Sequence, residues 1–153
     1  MAEQEEKQIS TNKKARFDYQ ILKVFEAGMS LRGSEVKSCR DAKVQLLDSY
    51  AAFERGELYL YKVNIGEYKQ SGPFFNHDTT RKRKLLMHRR ELDNIKAEME
   101  QSGATLVPLR MYFKRGMAKV ELGLAKGKTK GDKRQTLKTK DAERSMRQAI
   151  KRG

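Results

Sequence analysis

Few residues in this chain could do covalent chemistry, and those few are scattered. One cysteine, Cys39, and two histidines, His77 and His88, are its entire stock of thiol and imidazole groups. They never fall at the close spacing of a metal-ligand pair, and no serine or cysteine occupies a nucleophile elbow. Gly127-Lys128-Thr129 has the ending of a phosphate-binding loop, but the first glycine of that motif belongs at 122, which is Leu122. Cys39 lies beside Val36 on an apparent apolar face and reads as a small buried hydrophobe. His88 reads as a hydrogen-bonded structural residue. The chain is therefore expected to be no enzyme and to need neither cofactor nor metal.

Positive charge is the chemistry present in bulk. Arg81-Lys-Arg-Lys84 with Arg89 and Arg90 places six cations in ten residues with no acid among them. If these open a helix, they oppose its macrodipole, which points to a bound anion, and a nucleic-acid backbone is the best candidate. Residues 125–153 contain no aromatic residue and carry eleven Lys or Arg against three Asp or Glu, so 11 − 3 = +8 of the chain's +14 lies there. Such a segment cannot bury enough apolar surface to fold alone, and is expected to be disordered until a polyanion orders it. Within it Ala142, Met146, Ala149 and Ile150 recur at helical spacing among basic residues, the pattern of an arm that coils into an RNA groove. A membrane-surface helix would need Trp, Phe and a stronger apolar stripe.

The totals agree with this division. At 153 residues there is room for one domain of about 120 residues plus the arm. A sequence pI near 9.9 favours RNA or DNA as partner over a membrane surface. A lone cysteine fits a reducing compartment, the polar start Met1–Lys7 has no secretory h-region, and no apolar run approaches the roughly 20 residues of a membrane span. A cytoplasmic location is expected.

The elements that must position these residues are mostly strands. Phe17, Tyr19 and Ile21 alternate with polar neighbours and open a strand running to Ala27-Gly28. Ser34 to Arg40 offers a short helix with Ser34 as cap. Val44–Phe53 with Glu57–Ile65, and Thr105–Phe113 with Met117–Leu124, form hairpins around three-residue turns that end in Gly56 and Gly116. Pro108 suits an edge or a strand start. Leu85, His88, Leu92, Ile95 and Met99 follow helical spacing, with Asp78 and Thr79 as N-terminal caps, Gly103 as the end and a break near Met87 or His88. The tyrosines Tyr50, Tyr59 and Tyr61 could stack on bases, although most aromatics are expected inside. The order fits a mainly β fold: a small closed β-barrel with about three flanking helices.

In these and further motifs the chain resembles the small protein B (SmpB) family, the partners of transfer-messenger RNA in bacterial ribosome rescue. The resemblance runs from Asn12 to Arg152. It is carried by Asn12-Lys-Lys-Ala-Arg16, Phe25-Glu-Ala-Gly28, Leu31-Arg-Gly-Ser-Glu-Val-Lys-Ser-Cys-Arg40, Asp48-Ser-Tyr50, Asn76-His-Asp78 and Arg83-Lys-Leu-Leu86. Ala118-Lys-Val120, Ala125-Lys-Gly-Lys128 and Asp132-Lys-Arg134 complete it. Three positions depart from the family pattern: Cys39 replaces an apolar residue, Thr79 stands where Pro is common, and Gly131 where an aromatic or His is common.

The resemblance implies an oligonucleotide-binding-fold (OB-fold) barrel over 12–124, a flexible N-terminus over 1–11 and the basic tail from 125. It implies an RNA face built on Glu26, Leu86 and Lys119. Asn12, Lys13 and Arg16, then Glu35, Lys37 and Arg40, then Tyr50, Arg83, Lys84 and His88, and finally Lys126 and Lys128 are further candidates for that face. In the tail, Asp132, Lys133, Arg134, Lys138, Lys140, Arg144, Arg147 and Lys151 would meet the ribosome at its decoding centre and empty messenger channel. The implied partners are the tRNA-like domain of transfer-messenger RNA, small-subunit ribosomal RNA and, through the shared RNA, elongation factor Tu, with the protein a monomer. A general ribosome-associated or RNA-chaperone protein on the same barrel is the alternative.

Overall fold

A computed structural model of the chain describes residues 6–72 and 76–128; the expectations for the tail from Thr129 onward lie outside them. The elements are β1 (Glu6–Thr11), α1 (Lys13–Asp18), β2 (Tyr19–Met29), α2 (Gly33–Arg40), β3 (Val44–Gln45), β4 (Tyr50–Glu54), β5 (Glu57–Tyr61), β6 (Asn64–Ile65), β7 (Arg83–Leu86), α3 (Arg89–Ser102), β8 (Thr105–Lys114) and β9 (Met117–Gly127). The large sheet runs β1-β8-β4-β5-β7-β2-β9, and pairing of β9 back onto β8 closes it into a barrel. Leu58, Leu60, Leu85, Leu106, Met111, Val120 and Leu122 fill the interior with essentially no exposure. Leu92 and Ile95 of α3 join the same core. The expected barrel with three helices is the architecture found.

Several boundaries differ from the sequence reading, each for a local reason. Residues expected to form a flexible lead-in make β1, which pairs with β8 and buries Ile9. The strand expected from Phe17 begins at Tyr19, because Asn12 caps a turn of helix by accepting from the Ala15 amide at 3.2 Å. Arg32, not Ser34, is the N-cap residue of α2, and its amide donates to Glu35 at 2.8 Å. Both hairpin turns have two residues rather than three. Arg55-Gly56 and Arg115-Gly116 each take positive φ at both positions, the type I′ geometry that matches strand twist. The first expected hairpin strand is broken into β3 and β4 around Asp48, also at positive φ. β9 continues to Gly127, past the point where the tail was expected to begin.

Pro108 is not at an edge or a strand start. It lies inside β8 where the register with β9 shifts, a bulge being the one interior site that tolerates proline. Its carbonyl accepts from Asn12 Nδ2 at 3.0 Å, and the Leu46 carbonyl accepts from the same amide at 3.3 Å.

The largest correction concerns residues 83–86. They form β7 rather than the opening of the long helix, which starts at Arg89 and ends, as expected, at Gly103 in the left-handed region. Alternation is present there but disguised, since Arg83 and Leu85 point in while Lys84 and Leu86 point out. Only Arg89 and Arg90 therefore stand in the first helical turn, so the macrodipole argument does not apply to residues 81–84.

An arginine can occupy the inward position because a carboxylate waits for it. Arg83 and Glu35 are both fully buried, and Arg83 Nε donates to Glu35 Oε2 at 2.7 Å. The remaining Arg83 donors reach the carbonyls of Val63 and Thr79, the latter at 3.0 Å. Arg81 donates to the other Glu35 oxygen. Nearby, His77 Nε2 donates to the Ile65 carbonyl at 2.8 Å, which leaves Nδ1 to accept from the Ser34 hydroxyl at 2.8 Å. α2, β7 and the 76–80 loop are thereby tied together through side chains. Burial pushes the Glu35 pKa up, but the donors Arg81, the Arg32 amide and Arg83 outweigh it and hold the carboxyl below its ordinary value of 4.5.

A folded-state pKa below the unfolded one adds stability above the ordinary carboxylate range and loses it as pH falls through the lowered value. Glu35→Ala should therefore destabilise the fold by about 3–5 kcal/mol at neutral pH, because it strands a buried guanidinium. Urea denaturation checks this. In a second comparison, Glu35→Gln should flatten the acid-side loss of melting temperature seen in the unmodified chain.

Candidate nucleic-acid interface

Strand alternation decides which candidates can meet a partner. Along β2, Glu26 and Gly28 face outward, and across the register Glu26 stands opposite Glu121 while Gly28 stands opposite Lys119. Gly28 also pairs with Leu86 on β7. Leu86 is 48% exposed, an outward apolar residue with no core to join. Glu26, Gly28, Leu86 and Lys119, together with Met87, His88 and Glu91 at the entry to α3, line one open concavity of about 460 Å³. Four expected site residues, Glu26, Leu86, His88 and Lys119, thus converge from three strands and a helix entry.

The neighbouring surface is held by paired charges. Tyr112, opposite Lys119 on β8, donates its hydroxyl to Glu26 Oε2, and Lys114 Nζ reaches the same oxygen at 3.4 Å. The Tyr112 hydrogen bond pulls the Glu26 pKa down, burial opposes it, and Lys114 and Lys119 add to the lowering, so the net shift is downward. The Tyr112 hydroxyl is pushed up, by burial first and by the Glu26 carboxylate next. Arg110 lies over the Tyr112 ring at 4.1 Å and donates to Glu121 at 2.9 Å. Arg16 reaches Glu121 from α1 at 3.5 Å, which puts it on the same face.

Other candidates lie elsewhere. Lys13 and Lys126 are exposed at the end of the barrel that carries α1, and Lys128 Nζ donates to the Arg16 carbonyl at 3.1 Å. On the outer face of β4 and β5, Tyr50 stacks on Tyr61 with ring centroids 5.3 Å apart, and Lys62 lies over Tyr50. Lys82 covers Tyr59, so all three tyrosines stand outside the core rather than within it. Tyr61 donates to Glu54 at 2.7 Å, and that bond raises its hydroxyl pKa to about 12. Lys84 points outward beside this patch and lies 3.9 Å from Glu57. Lys37 and Arg40 are exposed on α2, the former over the Tyr68 ring.

Three candidates are buried. Glu35 and Arg83 have no exposed surface, and Asn12 is 8% exposed with its amide spent on backbone carbonyls, so their polar groups are used within the barrel. They build the barrel. Cys39 is buried as expected, and burial followed by the Glu35 charge pushes its thiol pKa up to about 12. The reading missed Tyr112, Met87 and Glu91. Tyr112 had a signal, since alternation along β8 places it outward and opposite Lys119.

A closed barrel whose outer face mixes arginines, lysines, tyrosines and pinned carboxylates has the form of a small nucleic-acid-binding barrel. The particular family follows from comparison with known proteins. The SmpB protein family model matches residues 9–152, and the chain belongs to that family. An "SsrA-binding protein" of Trichodesmium erythraeum (strain IMS101) is 50% identical over 95% of this chain and 94% of its own length. One of Geobacillus thermodenitrificans (strain NG80-2) is 49% identical over 99% and 97%. A chain from the solved structure described as "tmRNA-SmpB: a journey to the center of the bacterial ribosome" superposes with a TM-score of 0.66 at 48% identity, covering 84% of this chain and 93% of that one.

Tyr112→Phe removes the strongest hold on the Glu26 carboxyl without opening the core. The Glu26 carboxyl should then titrate closer to 4.5, as read from its side-chain carbon shift by NMR. An unchanged midpoint would mean that the hydroxyl does not hold it.

Proposed function

We propose that this chain is a non-catalytic RNA-binding adaptor of trans-translation. It binds the tRNA-like domain of transfer-messenger RNA and delivers that RNA to stalled bacterial ribosomes. The observation that carries the reading is the convergence of Glu26, Leu86, His88 and Lys119 on one outer face of a barrel in a chain of the SmpB family. Arg16 extends the face toward α1, where Lys13, Lys126 and Lys128 add positive charge for the RNA backbone. The relatives bear the name SsrA-binding protein, and the description of the structural neighbour names tmRNA, SmpB and the bacterial ribosome.

In this reading the body grips RNA and the basic tail beyond β9 enters the decoding centre and the empty messenger channel, Asp132-Lys-Arg134 leading. The chain works as a monomer in the cytoplasm and meets elongation factor Tu only through the shared RNA. No helix among the described residues is long and apolar enough to cross a membrane.

The test is a titration against the tRNA-like domain with a linear RNA of equal length as competitor, over several salt concentrations. Binding that survives competitor and moderate salt is expected, whereas equal affinity for both RNAs with a steep salt slope would overturn shape-specific recognition. Lys119→Glu should weaken this binding by roughly tenfold or more, through lost attraction and added repulsion. Truncation after Lys130 should leave it largely intact while abolishing alanine tagging on stalled ribosomes. Normal tagging by the truncated chain would refute the division of labour.

A further inference from the structure

The concavity around Glu26 is poorly made for a phosphate. Two carboxylates, Glu26 and Glu91, line it beside the single ammonium of Lys119. A phosphate seated there would face two like charges for one opposite charge, whereas the polar edge of a nucleobase carries no net charge and offers both donors and acceptors. The other walls suit the flat body of a base. Leu86 presents an exposed apolar side chain, and Gly28 leaves the floor bare. A β-carbon at 28 would stand 3.5 Å from Leu86 Cβ and 3.8 Å from Lys119 Nζ, in the space between the apolar wall and the ammonium.

The carboxylate is also aimed. Oε2 of Glu26 already accepts from Tyr112 and Lys114, while Oε1 has no hydrogen-bond partner among the described residues. A carboxylate oxygen held in this way is an anionic acceptor with its lone pairs open to incoming N–H donors. Guanine is the base that sets two such donors, N1–H and the N2 amino group, side by side, with the O6 acceptor next to them. We infer that this concavity reads one unpaired guanine, with Glu26 Oε1 accepting from N1–H and N2–H, Lys119 donating to O6, and Leu86 packing on the base plane. Tyr112 and Lys114 are positioning residues that turn the carboxylate toward the base. The assignment rests on the RNA-binding reading above and names what that site recognises.

The experiment uses the full chain and the tRNA-like domain, with each unpaired guanine replaced by adenine one position at a time. Adenine turns N1 into an acceptor and removes the N2 amine, so at one position the replacement should weaken binding about tenfold or more. Glu26→Gln should reduce that loss, because a glutamine amide can donate to adenine N1, while the Lys119 bond to O6 stays lost in both proteins. Such a base-dependent change cannot come from a merely structural glutamate. Equal losses for both proteins at every position would overturn the inference. If the unmodified chain fails to prefer the tRNA-like domain over linear RNA, the broader reading falls instead, so the two failures are distinguishable.

Discussion

The fold depends on a charge pair that has no access to water. Glu35 and Arg83 meet inside the barrel wall, and each nitrogen of the guanidinium and each oxygen of the carboxylate finds a partner. Desolvating two full charges is unfavourable unless the geometry is good and further hydrogen bonds satisfy the charged groups, and here such bonds surround both. The pair joins α2, β7 and the loop from Asn76 to Thr80, segments otherwise linked by few backbone bonds. The loop is also held to β6, where the Ile65 amide donates to the Thr79 carbonyl at 2.9 Å. Because the pair fixes β7, it also fixes Leu86 and the start of α3, and hence one wall of the candidate interface.

The outer face shows the same economy of charge at lower burial. In a chain with net charge +14, a nucleic-acid face could be a uniform blanket of lysine and arginine, binding any polyanion. Instead Glu26 and Glu121 sit near its centre, each held by named donors. Acids placed there weaken nonspecific attraction and leave recognition to shape and hydrogen bonding. Base contacts specify where phosphate contacts only position, and a fixed carboxylate can make only the former. In the proposed reading the exposed lysines near α1 supply the general attraction.

Elements whose inward residues are apolar were legible from order alone. β8 and β9 alternate openly, and Leu92, Ile95 and Met99 mark α3 by their spacing. The failures share a cause. β7 hides its period because Arg83 occupies an inward place, and a pattern of apolar residues cannot register a buried cation. β1 hides because its one buried apolar residue, Ile9, lies in a polar stretch that becomes a strand only by pairing with β8. Most aromatics were expected inside, yet Tyr59 and Tyr61 stand outside, because Leu58 and Leu60 take the inner face.

By itself the sequence determined the family, the mainly β architecture and the concentration of positive charge in the last 29 residues, since motif spacing, alternation and composition are properties of chain order. Which motif residues build the barrel and which face a partner was decided only in three dimensions. Asn12, Glu35 and Arg83 stand in the same motifs as Arg16, Lys37 and Lys84, and no one-dimensional signal separates the two sets. Burial does, because closing the barrel sends alternate residues to opposite sides of its wall. The same closure brings Glu26, Leu86 and Lys119, distant in the chain, to the rim of one concavity.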